Sequence, residues 1–241
     1  MKLDRTGLHL AWRKRPPYRG SVDPEIRHLV DELARRREVL GAALFGSVAR
    51  GDARPDSDVD VFVLVKDGMW RDIEEVGQRH VEFVFSSPES TQAFGEKRPD
   101  EYVKMWQEAQ VLLDKEGRMA ELRRAAEELR VRGKPLPDQR SIRHRKFDAE
   151  DQLRGVRSLR ATDFPAAALV LHRHVEALTK LFFDLTQEWT PPPKERLKRI
   201  RELNPAVAEA FDRFYGLADL DEQMQAAEQV VLRLFKTVER T

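Results

Sequence analysis

Cysteine is absent from this chain of 241 residues. Its absence excludes disulfide bonds, thiolate catalysis and zinc sites with cysteine ligands. The sequence also lacks an apolar run long enough to span a bilayer, and the apolar stretch in its basic N-terminus is too short for a signal peptide. We therefore expect a cytoplasmic protein with no membrane partner.

A strong net charge is also missing, because 43 Lys and Arg face 42 Asp and Glu, giving a formal net charge of +1. This balance does not favour a nucleic acid as the partner of the whole chain. Basic residues concentrate in an N-terminal arm, residues 1–20. A solvated terminus is the simpler interpretation of this arm, and a contact with a polyanion is the alternative.

Hydrophobic patterning divides the chain into an α/β half and a helical half. Apolar, β-branched and aromatic runs predict strands at residues 39–46, 58–65, 80–86 and 110–114. Helices are predicted between them, including one over residues 70–78. The glycine and two prolines of residues 133–139 then indicate a domain boundary.

Beyond this boundary the pattern contains no strand. Five helices are predicted, at residues 140–161, 164–187, 194–203, 205–216 and 221–239. The predicted fold class is therefore α+β, a mixed sheet flanked by helices, followed by an all-α helical bundle. The corresponding domains are residues 1–134, including the basic arm, and residues 138–241.

Two aspartates head the predicted strand DVDVFVLV. Alternate residues of a strand share a face, so Asp58 and Asp60 point to one side while the valines point to the other. Adjacent carboxylates repel each other unless a cation lies between them. Mg²⁺ is typically held by one or two carboxylates together with substrate phosphates. Taken alone, the pair fits a solvent-exposed strand start equally well.

The connection GSVARGD before this strand has the composition of an anion site. Gly46 permits close approach of the backbone to a ligand, and Ser47 at the start of a helical turn leaves N–H groups free for phosphate. Arg50 can contact a phosphate or brace the loop, and Gly51 lets the chain turn back. An ordinary turn explains Gly46 and Ser47 without a ligand, but it does not predict the nearby aspartates.

A third acid, Glu82, lies in the middle of the predicted strand at residues 80–86. If this strand pairs beside residues 58–65, Glu82 joins the two aspartates. Three convergent carboxylates can hold two divalent ions, one on a triphosphate and one that lowers the pKa of an attacking hydroxyl. A polar residue on a half-exposed strand is the alternative.

Together these motifs resemble the signature of the DNA polymerase β-like nucleotidyltransferase superfamily. The matching residues are Gly46, Ser47, Arg50, Gly51, Ser57, Asp58 and Asp60, with Glu82 at the third acidic position. The resemblance implies a nucleoside triphosphate, which we expect to be ATP, two Mg²⁺ ions, and transfer of a nucleoside monophosphate to a hydroxyl. The third acid is Glu here, where the superfamily more often has Asp.

The resemblance also implies roles for individual side chains. Asp58, Asp60 and Glu82 are expected to be catalytic and to hold the metal ions. The nucleotide is expected to contact Gly46, Ser47, Arg50 and Ser57.

The helical half resembles the C-terminal domains of small-molecule nucleotidyltransferases, the aminoglycoside-modifying kind among them. Trp189, Pro192 and Lys194 match an aromatic–proline turn followed by a lysine, which implies a nucleotide contact for Lys194. A helix hairpin with a proline turn explains this pattern equally well. In such enzymes the acceptor lies between the two halves, and an acid of the helical half is often the general base. Glu150 is our candidate for that base.

A second candidate in the helical half is Glu176, four residues after His172 on a mostly apolar helix. This spacing places the two side chains on one helix face, where they can bind a metal or order a proton path. A polar stripe on a packed helix is the simpler interpretation.

The predicted function is therefore transfer of AMP to a small hydroxylated acceptor, such as an aminoglycoside-like antibiotic. A protein adenylyltransferase of the antitoxin type and a non-catalytic nucleotide-binding module are the alternatives. The sequence leaves open whether two chains form a homodimer.

Overall fold

The structure is a computed structural model that describes residues 24–54, 56–76 and 79–238. The basic N-terminal arm lies outside the described residues. The chain divides into two compact units between Val131 and Arg132.

The first unit is built on a five-stranded mixed sheet. Its strands are β1 (Val39–Phe45), β2 (Val59–Val65), β3 (Met69–Val76), β4 (Arg79–Ser86) and β5 (Gln110–Asp114). They lie in the order β3-β4-β2-β1-β5. β2 and β4 are parallel, and the other neighbours are antiparallel. The sheet confirms the predicted mixed architecture.

Helices cover both faces of this sheet. They are α1 (Pro24–Arg35), α2 (Gly46–Arg50), α3 (Pro88–Lys97), α4 (Pro99–Glu108) and α5 (Arg118–Arg132). The sequence did not predict α3, which begins where the Ser87 hydroxyl accepts a hydrogen bond from the Ser90 N–H at 3.1 Å.

Both faces of β2 are consequently buried. Its valines pack in one core cluster with Leu33 of α1, whereas Phe62 and Leu64 pack on the opposite face with Trp106 of α4. The face that carries the aspartates is therefore also core, except at Asp60, which is half-buried.

The prediction of a helix over residues 70–78 was wrong. These residues belong largely to β3, which pairs antiparallel with β4 from Met69 opposite Ser86 to Val76 opposite Arg79. β3 is an edge strand, and seven of its eight residues are exposed, so no hydrophobic alternation marks it in the sequence. Its Trp70 stacks on Phe85 with ring centroids 4.5 Å apart.

The second unit consists of helices, as predicted. They are α6 (Gln139–Arg160), α7 (Phe164–Leu185), α8 (Pro193–Leu203), α9 (Pro205–Gly216) and α10 (Leu220–Phe235). One continuous core joins them, with Phe182, Phe211 and Leu234 fully buried. Among the residues that the structure describes, no helix is long and apolar enough to cross a membrane.

Candidate active site

Strand pairing brings the predicted turn and two of the predicted acids to one edge of the sheet. The parallel pairing of β2 with β4 puts Asp60 opposite Glu82. The antiparallel pairing of β1 with β2 puts Phe45 opposite Asp60, and Gly46 follows directly. The predicted pairing of residues 80–86 beside 58–65 is therefore confirmed, and it makes Glu82 the neighbour of Asp60.

Gly46 is required by this close approach. Its φ is +63°, in the left-handed region, and a Cβ at this position would overlap the Asp60 carboxylate. The short helix α2 that begins here ends at Gly51, whose φ is +78° and whose N–H donates to the Val48 carbonyl at 3.2 Å. The two glycines thus form a compact turn against the acidic end of β2.

Asp58 and Ser47 are available to a ligand. Asp58 is exposed, and neither its carboxylate nor the half-buried hydroxyl of Ser47 has a hydrogen-bond or ion-pair partner among the described residues. The turn before Asp58 is held by Ser57, whose hydroxyl accepts from the Arg54 N–H at 2.9 Å. Ser57 therefore shapes the chain that leads into Asp58, and its predicted nucleotide contact stays a prediction.

Glu82 has a partner that the sequence did not predict. Arg71 of β3 donates from Nη1 to Glu82 Oε1 at 3.0 Å. The helix predicted over residues 70–78 includes Arg71, and a helix there does not place Arg71 beside β4. The signal that was missed is the Gly77–Gln78 dipeptide between two short runs, which is typical of a two-residue hairpin.

The donor set agrees in part with the predicted metal site. Asp58 and Asp60 offer the hard oxygen ligands that Mg²⁺ prefers, and two carboxylates with substrate phosphates are sufficient to hold it. Across the described residues, however, no three acidic or histidine side chains lie close enough together to hold an ion. Glu82 contacts Arg71 in this structure, and its predicted place beside the two aspartates as a third metal ligand stays a prediction.

Arg50 lies in a network that braces the turn. Its Nη1 donates to Glu108 Oε2 at 2.8 Å and its Nε lies 3.3 Å from Asp52, while Lys104 Nζ lies 2.7 Å from Glu108 Oε1. Burial alone would lower the pKa of Arg50, but Glu108 and Asp52 outweigh it and raise that pKa. This geometry favours the bracing role over the phosphate contact.

Glu108 and Gln110 are functional candidates that the sequence did not reveal. Gln110 Nε2 donates to the Ala49 carbonyl at 2.8 Å, so the end of α4 and the start of β5 both hold α2 in place. Glu108 lies 58 residues from Arg50 in the chain. No local pattern encodes a contact at that separation.

In the helical unit, the predicted residues lie at the surface. Glu150 is exposed on α6, and Lys194 is exposed in the first turn of α8. Their assigned roles stay predictions. Glu176 accepts a hydrogen bond from Arg196 Nη1, and His172 lies against Phe214 with ring centroids 5.2 Å apart. These contacts favour the structural interpretation of the His172–Glu176 pair.

A cavity of about 320 Å³ lies between α6 and α7, within the helical unit. Its polar lining includes Asp148, Gln152, His174 and Lys180, and buried Leu178 contributes to its apolar lining. Burial lowers the pKa of His174, although a hydrogen bond to the backbone of Ala149 opposes this shift. Glu150 does not line this cavity.

Comparison with known proteins bears on residues 26–113 and on the fold. Residues 26–113 match the family model of the nucleotidyltransferase domain. The structure also resembles that of a nucleotidyltransferase-like protein from Exiguobacterium sibiricum, with a TM-score of 0.53 and 13% sequence identity, over 88% of this chain and 74% of that chain. At this identity the likeness concerns the fold. No curated protein matches the chain.

Proposed function

We propose that the chain transfers AMP from ATP to a hydroxyl group of a small molecule, because residues 26–113 match the family model of the nucleotidyltransferase domain. The observation that carries this proposal is the contact of the Gly46 backbone with the carboxylate of Asp60, next to the available Asp58. A turn that requires glycine, held against acidic side chains, offers a triphosphate and a divalent cation one common site.

In the proposed reaction, the acceptor oxygen attacks the α-phosphorus. The bond from that phosphorus to the oxygen bridging to the β-phosphate breaks, and pyrophosphate leaves. Asp58 and Asp60 would hold Mg²⁺, which, when bound, neutralises phosphate charge. The hydroxyl of Ser47 donates to a phosphate oxygen, and Arg50 keeps α2 in position through Glu108.

The helical unit supplies the remaining proposed roles. Glu150 keeps its proposed role as acceptor of the hydroxyl proton; because Glu150 does not line the cavity, Asp148, which does, is the alternative for a small molecule bound there. Lys194 keeps its proposed contact with the nucleotide.

The cavity between α6 and α7 supports a small acceptor. Its volume is about 320 Å³, and it is largely open to solvent rather than enclosed. Asp148 and Gln152 offer hydrogen bonds to hydroxyl groups, and an aminoglycoside-like compound satisfies this chemistry. The lining holds two cationic side chains, Arg145 and Lys180, and two acidic ones, Asp148 and Asp184, so neutral polyols belong in the same series.

A pyrophosphate-release screen tests the proposal. The four nucleoside triphosphates are each combined with Mg²⁺ and a panel of hydroxylated compounds, including aminoglycosides and neutral polyols. We expect release with ATP and at least one compound, and none from an Asp58→Asn variant. Binding of ATP without release for any compound would support a nucleotide-binding module instead.

Label from α-phosphate-labelled ATP distinguishes the acceptor classes. In a lysate supplemented with the chain, the proposal predicts label in small molecules. Label that enters a protein would instead support the protein adenylyltransferase.

A further inference from the structure

Arg71 lies next to the proposed site and has no role in the proposed reaction. It lies on β3 opposite Val84, on the same face as Ile73, and Ile73 is directly opposite Glu82. The guanidinium reaches diagonally across the hairpin to Glu82 Oε1 at 3.0 Å. The Arg71 side chain is 74% exposed and that of Glu82 is 36% exposed.

Glu82 therefore has a charged neighbour on each adjacent strand. Asp60 is opposite it on β2, and Arg71 approaches it from β3. Asp60 repels the Glu82 carboxylate, whereas Arg71 attracts it. This explains why the described acids form no three-membered cluster although the strand register brings Glu82 beside Asp60.

We propose that Arg71 is a positioning residue that holds Glu82 away from Asp58 and Asp60 until a divalent cation attracts it. The proposal rests on the proposed function, because it assumes that the two aspartates bind the cation. The ion pair is exposed, and exposed ion pairs change an equilibrium by no more than about five-fold. A divalent charge at the aspartates is therefore sufficient to open it.

Direct binding of Mn²⁺ tests this proposal without measuring activity. Free Mn²⁺ is followed by electron paramagnetic resonance during titration of the full chain and of Arg71→Gln, Glu82→Gln and the double variant. Removing Arg71 alone is expected to tighten binding about two- to five-fold, because Glu82 is released. In the Glu82→Gln background the same change is expected to have no effect, because Arg71 acts through Glu82.

Two results overturn the proposal. The first is unchanged affinity in Arg71→Gln, and the second is an equal gain with and without Glu82, which would mean that Arg71 acts only by its charge. Arg118→Gln is the matched control, because it removes the same charge from an exposed ion pair on α5 of this unit. We expect it to bind Mn²⁺ like the unaltered chain.

Failure of the proposed function gives a different result. If an Asp58→Asn, Asp60→Asn variant binds Mn²⁺ as tightly as the unaltered chain, the aspartates do not hold the cation. The other outcome is that this double aspartate variant loses Mn²⁺ binding, while the affinity changes caused by Arg71→Gln and Glu82→Gln simply add. That result overturns only the proposed role of Arg71.

Discussion

Acidic side chains in the helical unit and those at the start of β2, Asp58 and Asp60, differ in the partners that they contact. In the helical unit, Asp184 lies 2.6 Å from Lys134 and 2.5 Å from Arg145, and Glu176 is paired with Arg196. In the sheet unit, Asp58 has no such partner in the part of the chain that the structure describes. The paired acids of the helical unit connect neighbouring elements of that unit. Asp58, which has no such partner among the described residues and lies beside Asp60, is available to a cation.

The largest effect is expected from Asp58→Asn. It removes a charged oxygen from the proposed cation site, and we expect nucleotidyl transfer to fall at least about 10³-fold, roughly 4 kcal/mol of transition-state stabilisation. Steady-state pyrophosphate release measures this loss. Asp56→Asn is the matched control, because Asp56 is exposed in the same loop and pairs with Arg54. Equal activity of the two variants would place the reaction elsewhere.

Replacing glycine by alanine should lower stability at Gly46 in the first unit and raise it at Gly155 in the second. Gly46→Ala places a Cβ against the Asp60 carboxylate, at a residue whose φ is positive. We therefore expect the free energy of unfolding to fall by about 1–2 kcal/mol and the activity to fall strongly. Gly155→Ala, in α6 with nothing within 4 Å, should raise stability by about 1 kcal/mol. Chemical denaturation measures both. A neutral Gly46→Ala would contradict the close approach to Asp60.

The next effect concerns the ion pairs that join helices. Arg196 is 7% exposed and donates to Glu176 and to the Pro191 carbonyl. Arg196→Met leaves both acceptors without this donor, and we expect it to lower the free energy of unfolding by about 2–3 kcal/mol. Arg201→Met, which removes an exposed partner of Asp212, should leave unfolding unchanged. Similar losses in both variants would contradict the distinction between buried and exposed pairs.

The smallest effect is a pH dependence. Burial lowers the pKa of His174 in the folded chain, so the unfolded chain binds a proton more readily. The stability contributed by the neutral ring is therefore complete above the unfolded pKa of about 6.5 and is lost as the pH falls through the lower folded value. His174→Phe should flatten the thermal stability curve below pH 6.5. An unchanged slope in His174→Phe would contradict this account.

The sequence was most informative where one face of an element is buried. The helices of the second unit have apolar stripes, and their bounds were predicted within a few residues; only α10 ended clearly earlier, at Phe235. Hydrophobic periodicity did not reveal β3, because an edge strand exposed on both faces has no apolar period, and the Gly77–Gln78 dipeptide was the local signal that remained. Two contacts were missed for related reasons. The Arg71–Glu82 hydrogen bond requires β3 to be recognised first, and the Arg50–Glu108 hydrogen bond joins residues 58 positions apart, which no local pattern relates.

Within the candidate site, the local motif was the predictable part. Gly46, Asp58 and Asp60 are separated by few residues, and strand alternation is sufficient to relate the aspartates. Whether Glu82 contacts a cation or an arginine depends on the electrostatic balance between two neighbouring strands. A sequence pattern does not contain that balance.

The central claim is that residues 26–113 support transfer of a nucleoside monophosphate at Asp58 and Asp60. Parallel reactions with α-phosphate-labelled and γ-phosphate-labelled ATP, with Mg²⁺ and an acceptor that supports pyrophosphate release, test it most directly. The claim predicts that the α-label moves to the acceptor, that the γ-label leaves as pyrophosphate, and that Asp58→Asn abolishes both. Transfer of the γ-label to the acceptor, or α-label transfer that survives the substitution, would contradict it.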